Sequence, residues 1–311
     1  MKLFSAALCS YNRADRLPAL VAALREQQCE MPFEILIVDN NSTDNTQQVL
    51  ASLATQSGVH LRYVKETQQG IPFARNRALQ ECIDSEFMLF MDDDEMPKPG
   101  LLQAAVHCLN NDDAECVGGK INVCFTKGQR PPWLGNDLLG FLAEVDYGSA
   151  PFWITTPSTP LWTANIAYRM SIFKKYPQLR FNPRYNRIGK QVGGGEDLIM
   201  FNDMLALNIK MRYCPEMVVE HYVEEWRLQR NYFLKLHFVS GKKTGLYEAK
   251  NYARTFLGVP FFMVFQSMRQ LVRSLWMIVT RHPGALRQAM NWTHSLGLIY
   301  GHFLTWKKTS K

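Results

Sequence analysis

Four carboxylates in a row, Asp92, Asp93, Asp94 and Glu95, follow directly on the apolar run at residues 87–91. At neutral pH they repel one another, and a positive partner among them relieves that repulsion. Hard oxygen donors on a loop suit Mg²⁺ or Mn²⁺, above all when a diphosphate completes the shell. An acidic turn that caps helices is the competing reading of the same four residues. Asp39 closes a second apolar run, ILIVD, and is followed by Asn40, Asn41 and Ser42. A carboxylate there suits a base N–H or a ribose hydroxyl, and it equally suits an Asx turn. Arg75 and Arg77 open a helical pattern, where a guanidinium beside free helix N–H groups suits phosphate. Gly193, Gly194 and Gly195 form a hinge before Glu196 and Asp197. A carboxylate on a closing loop can take a proton from a sugar hydroxyl; N-capping is the alternative. His221 closes the run VVEH and is either a structural histidine or a ligand beside acidic oxygens.

These residues need a frame to bring them together. Apolar runs at 3–9, 33–38, 60–64 and 87–91 predict buried strands, and 211–221 predicts a later one. Helical spacing predicts helices at 15–28, 43–53, 72–83 and 196–207, with Ser42 as the cap of the second and Pro72 in the first turn of the third. Strands alternating with helices imply a parallel sheet whose ligands sit at the carboxyl ends of its strands. Ser10 to Asn12, Asp39 to Asn41 and Asp92 to Asp94 all fall at such ends. Residues 118–173 are less regular, and 182–195 is polar and Gly-rich, as a mobile loop would be.

The charge is uneven. The chain of 311 residues carries 35 Lys and Arg against 28 Asp and Glu, yet 249–311 holds nine basic residues and no acidic one. Those nine lie among long apolar stretches, which fits helices in a membrane interface and argues against a nucleic-acid groove. An inserted hairpin and ordinary packing onto the body are the alternatives. Seven cysteines with no C-x-x-C pair read as buried thiols in a reducing compartment. Met1 leads into a strand, with no signal peptide evident.

Taken together, SYNRADRL, ILIVDNNSTDNT, GIPFARNRAL, FMDDDE, TANIAYR, GGGEDL and VVEH resemble the family-2 glycosyltransferases in their order and spacing. The resemblance spans residues 4 to 221. It implies the GT-A fold, a Rossmann-like α/β architecture with a mostly parallel sheet flanked by helices, here followed by C-terminal amphipathic or apolar helices. It implies a nucleotide-sugar-binding half at 1–115, an acceptor-binding and catalytic half at 116–248, and a membrane-associating segment at 249–311. By the same resemblance Ser10, Tyr11, Asn12, Asp39 and Arg75 would hold the nucleotide, with Asp92 and Asp93 beside it. Asp94, Asp92 and His221 would hold the Mn²⁺ or Mg²⁺. Asp197, with Glu196, would be the catalytic base, and Trp162 and Asn165 would line the sugar or acceptor pocket.

The implied reaction is inverting transfer from a nucleotide-diphospho-sugar, UDP being the family's commonest base, to a glycan or lipid-linked acceptor. Cell-surface polysaccharide synthesis at the cytoplasmic face of the inner membrane would be its setting. The Q-x-x-R-W motif of chain-extending synthases is missing, with Glu225-Trp226-Arg227-Leu228-Gln229-Arg230 in its place. One sugar per encounter is therefore expected. A nucleotidyltransferase would need a Gly-rich phosphate loop that SYNRADRL does not offer. An inactive scaffold would be expected to have lost its acids, and Asp39, Asp92, Asp94 and Asp197 all remain.

Overall fold

A computed structural model describes residues 3–125, 130–186, 194–248 and 252–309. Residues 187–193 of the expected Gly-rich loop at 182–195, Gly193 among them, lie outside the described residues. The chain divides into two compact units, the first ending at Val223 and the second beginning at Glu224.

The first unit opens with three strand–helix repeats. Strands β1 (Phe4–Ser10), β2 (Phe33–Asp39), β3 (Leu61–Lys65) and β4 (Phe87–Asp92) are joined by helices α1 (Leu17–Arg25), α2 (Thr46–Ala54) and α3 (Ile71–Glu81). β1, β2 and β4 are continuous apolar runs because both faces of the sheet are covered, and nearly every residue in them is buried. They pair in parallel in the order β3-β2-β1-β4. Helix α2 begins three residues later than 43–53 predicts, and Ser42 does not cap it. Asp44 does that work instead, its carboxylate accepting from the Thr46 N–H at 3.0 Å.

Beyond β4 come β5 (Glu95–Pro97), α4 (Leu101–Asn111), β6 (Cys116–Phe125), β7 (Phe152–Trp153), β8 (Asn165–Arg169), α5 (Ser171–Lys175), α6 (Glu196–Ala206) and β9 (Met211–Val223). β8 inserts antiparallel between β4 and β6, while β6 and β9 run parallel. Among the described residues the result is one nine-stranded mixed sheet with a parallel N-terminal half. One hydrophobic core fills the face under α1, α2 and α4, and a second fills the face under α3 and α6. All seven cysteines are free thiols, but only Cys82, Cys108, Cys116 and Cys214 are buried as expected; Cys9, Cys29 and Cys124 are half-buried.

The second unit holds α7 (Arg230–Tyr247), a two-residue hairpin of β10 (Thr255–Phe256) and β11 (Val259–Pro260), α8 (Phe261–Val279) and α9 (Ala285–Thr309). Helix α8 runs unbroken through Arg269 and Arg273. Among the described residues, no helix is long and apolar enough to cross a membrane. Helices α7 and α9 approach so closely that glycine is required at the contact. A Cβ on Gly297 would sit 2.0 Å from the Phe238 carbonyl oxygen, and one on Gly241 would sit 2.0 Å from that of His294. Backbone cannot move aside as a side-chain end can. Gly297→Val is therefore expected to cost about 3 kcal/mol or more. Thermal unfolding would register this as an early transition of the second unit, and an unchanged unfolding curve would contradict the packing.

Candidate active site

The sheet register sets the site. Ser10 pairs with Asp39, and Cys9 pairs with Asp92, so the carboxyl ends of β1, β2 and β4 lie level. Three polar turns that are far apart in sequence thus share one edge, where ligands of such sheets bind.

The turns are clipped to one another. Asn12 takes the left-handed conformation at φ 54°, which asparagine tolerates better than most residues. Its N–H donates to Ser42 Oγ at 2.9 Å, and its Oδ1 accepts from the Thr43 N–H at 2.8 Å. Asp39 is fully buried. Its Oδ1 accepts from the Ser42 N–H, three residues on, at 3.0 Å, holding the turn, and its Oδ2 accepts from Gln47 Nε2 at 3.3 Å. Asn40 holds the next turn, donating to the Gln68 carbonyl at 2.8 Å and accepting from the Gly70 N–H at 2.8 Å. Between these turns opens a cleft of about 120 Å³ lined by Cys9, Ser10, Tyr11, Arg13, Asn40, Gln69, Ile71 and Asp93. Ser10, Tyr11 and Asp93 are among the residues singled out from sequence. Arg13, Asn40 and Gln69 are not, although Arg13 and Asn40 sit inside the quoted motifs, one residue from named positions.

The acidic turn is held from two sides. The Asp92 N–H donates to Glu95 Oε2 at 2.9 Å. β5 is only three residues long, and its pairing with β9 sets Glu95 opposite His221. His221 is 3% exposed, and its Nδ1 lies 3.3 Å from Asp94 Oδ1 and 4.0 Å from Glu95 Oε1. Burial raises the Glu95 carboxyl well above its ordinary range, and Asp92 and Asp94 add to the shift. Asp93 is pushed up to about 7, by burial first and by Asp94 second, against the pull of Arg13 at 3.8 Å. A turn so reluctant to ionise is one that a cation would favour. Carboxylate oxygen and imidazole nitrogen together suit Mn²⁺. Among the described residues, no three His, Cys, Asp or Glu side chains already stand as a preformed metal site. Asp94 and His221 nonetheless supply adjacent donors of the right chemistry, with Asp92 on the same turn.

Arg75 joins this turn to the Glu196–Asp197 pair. It projects from α3 with only 5% exposure. Nη2 lies 3.1 Å from Asp92 Oδ1 and Nη1 lies 2.8 Å from Glu196 Oε1. The guanidinium also sits 5.5 Å over the Phe181 ring. Burial works against its charge, but Asp92, Glu196 and Asp197 outweigh that and raise its pKa. Its two nitrogens on these carboxylates make Arg75 a bridge inside the site. Glu196 is buried, while Asp197 is partly open to solvent at the start of α6, after Gly195 at φ 122°. The Asp197 carboxyl is pushed up to about 6, by burial first and then by Glu196, with Arg75 pulling the other way.

Asn165, Trp162 and Arg77, also singled out from sequence, are engaged elsewhere. Asn165 is 1% exposed, and its Nδ2 donates to the carbonyls of Lys120 and Met217 at 2.9 and 3.0 Å. It braces β6 against β9 where their register shifts. Trp162 packs, partly buried, against the core beneath α4. Arg77 pairs with Glu81 one helical turn on, at 2.8 Å.

The chain is similar to several known proteins. WbaN, an O-antigen chain rhamnosyltransferase of Salmonella anatum, is 23% identical over 73% of this chain and 66% of its own length. An uncharacterized glycosyltransferase of Bacillus subtilis, YfnE, is 28% identical over 35% of this chain and 28% of its own length. The chain thus spans less than two thirds of these curated relatives. Among solved structures, residues 1–349 of Staphylococcus aureus TarS superpose with a TM-score of 0.53 at 16% identity, covering 100% of this chain and 91% of that one. The mannosyltransferase PcManGT from Pyrobaculum calidifontis, solved with GDP-Man and Mn²⁺, gives 0.56 at 18% identity, over 93% of this chain and 73% of that one. These neighbours show the GT-A fold. The model of the family described as Glycosyl transferase family 2 matches residues 5–177. With more than half of its length inside that family, and the polar turns after β1, β2 and β4 inside the matched stretch, the chain belongs to glycosyl transferase family 2.

Proposed function

We propose that this enzyme moves one sugar from a nucleotide-diphospho-sugar, UDP-linked by first choice, to a hydroxyl of a glycan or lipid-linked acceptor, with inversion. The observation that carries the reading is the Asp92–Arg75–Glu196 bridge, which ties the donor-side acidic turn to the partly open carboxylate of Asp197.

The nucleotide would lie in the cleft of Ser10, Tyr11, Arg13 and Asn40, with Asp39 keeping the β2 turn in shape. Asp92, Asp94 and His221 would hold a divalent metal, which when bound offsets charge on the departing diphosphate. Asp197 would accept the acceptor's proton as its oxygen attacks the anomeric carbon from the face opposite the diphosphate. A single displacement inverts that centre. Glu196 is occupied by Arg75, so it holds the bridge while Asp197 stays available to substrate. A raised carboxyl suits this work, since a base with its pKa nearer the working pH accepts a proton more readily.

WbaN's name ties it to O-antigen chains, and another structure of TarS is a complex with UDP-GlcNAc. By analogy we place this enzyme in cell-surface polysaccharide synthesis, at the cytoplasmic face of the inner membrane. Two measurements test the reading. The base must be deprotonated, so kcat/KM is expected to rise as pH climbs through about 6, the value to which Asp197 is pushed. A rate that stays flat from pH 5 to 8 would remove Asp197 from that role. The product's anomeric configuration, read by NMR coupling constants, is expected to be opposite to the donor's, and retention would refute the single displacement.

A further inference from the structure

The surface of α8 is neither covered nor polar. Phe265, Met268, Val272, Leu275, Trp276 and Val279 recur at spacings of one, three and four residues and form one stripe. Each is more than half exposed, from 52% at Leu275 to 81% at Val279. The opposite side of the same helix is occupied. Met263, Ser267, Ser274 and Met277 are buried, and Ser267 Oγ accepts from Ser295 Oγ of α9 at 2.9 Å. Helix α8 is therefore anchored on one side and bare on the other. An exposed stripe this apolar is a contact surface on general grounds.

Its edge carries charge of one sign. Arg269 and Arg273, one helical turn apart, border the stripe and line, with Phe265, Met268, Val272 and Trp276, an open depression of about 540 Å³. No acidic residue occurs anywhere from Ala249 to Lys311. That pattern discriminates between occupants. In a two-fold contact of α8 on α8, each arginine edge would meet the partner's arginine edge with no carboxylate on these helices to neutralise it. An anionic bilayer satisfies both features. The stripe enters the acyl boundary while the two guanidinium groups stay at headgroup phosphates.

We propose that α8 is the bilayer-docking element of this enzyme, lying in the membrane plane with the Phe265–Val272–Trp276 stripe inward and Arg269 and Arg273 on anionic headgroups. This rests on the membrane-proximal reading of the enzyme and deepens it, naming one helix, one face and one lipid charge. Helix α9 supports α8 from behind.

Vesicle flotation of the full chain tests the proposal. Phosphatidylcholine vesicles with and without phosphatidylglycerol are compared, at low and high salt. The wild-type chain is expected to float with the anionic vesicles and to lose most of that binding in high salt. Val272→Glu with Trp276→Glu, at outward positions that leave the contact with α9 intact, is expected to abolish flotation. Arg269→Gln with Arg273→Gln is expected to weaken anionic partitioning about 25-fold, at about fivefold per arginine, and to erase the preference for phosphatidylglycerol. Soluble donor hydrolysis and the circular dichroism spectrum, measured on each variant, are expected to match wild type. They separate loss of docking from misfolding and from failure of the transferase reading itself. Flotation that survives the double Glu substitution would overturn the assignment to α8. So would a wild-type chain that ignores anionic vesicles yet forms a dimer which the same substitution dissolves.

Discussion

Asp197→Asn is expected to slow sugar transfer by about 10³-fold while the donor still binds, a loss of about 4 kcal/mol of transition-state stabilisation. The substitution keeps the shape of the side chain and removes its ability to take a proton. Among the described residues, Asp197 Oδ1 accepts a local N–H, from Leu198 at 2.8 Å, so the helix start survives the change. Initial rates with a saturating acceptor would show the fall, and calorimetric titration with the nucleotide-sugar would show a Kd within a few-fold of wild type. An activity near wild type would assign the proton to another group. Glu196→Gln provides the contrast, because Glu196 faces Arg75 from a buried position, and its loss should disturb stability as well as rate.

The larger structural effect is expected at Arg75. Arg75→Met removes the cation from a position that is 5% exposed and leaves Glu196 buried without its partner. Stranding one side of a buried pair costs about 3–5 kcal/mol. For a unit of this size that is a fall of roughly 10 °C in Tm. Glu196 accounts for most of it, since its side chain is 5% exposed against 34% for Asp92, which water can partly solvate. Arg75→Lys should recover only part of the loss, because one ammonium cannot span both carboxylates as the two arms of a guanidinium do. Calorimetric melting of the three proteins checks this order. A Tm unchanged in Arg75→Met would mean that the bridge does not form.

The N-terminal half of the fold was legible because its signals are local. β1, β2 and β4 are short apolar runs that end in polar turns, and their helices show apolar spacing and a first-turn proline. Placing Ser10, Asp39 and Asp92 on one edge needed only that alternation. The position of β8 was not legible. Its five residues pair antiparallel with β4 and β6, strands more than 40 residues earlier, and nothing in NIAYR announces that. Glu95 went unassigned for a related reason. Its burial depends on the pairing of three-residue β5 with β9, which a sequence pattern does not carry. Asn165 drew attention as a polar residue in a family motif, yet its amide is used to brace two carbonyls where the β6–β9 register shifts. Helix α8 continues through Arg269 and Arg273 because arginine is a good helix former and both side chains are exposed.

Release of nucleoside diphosphate from a panel of nucleotide-sugars, with Mn²⁺ or with EDTA, tests the central claim most directly, with Asp94→Ala and Asp197→Asn run beside the wild-type enzyme. The account predicts release from one donor with Mn²⁺, none with EDTA, none from Asp94→Ala and a rate from Asp197→Asn lowered by about 10³-fold. Release that persists unchanged in EDTA and in Asp94→Ala would contradict a metal held at the acidic turn. The absence of both release and nucleotide binding across the whole panel, with and without candidate acceptors, would contradict the transferase mechanism itself.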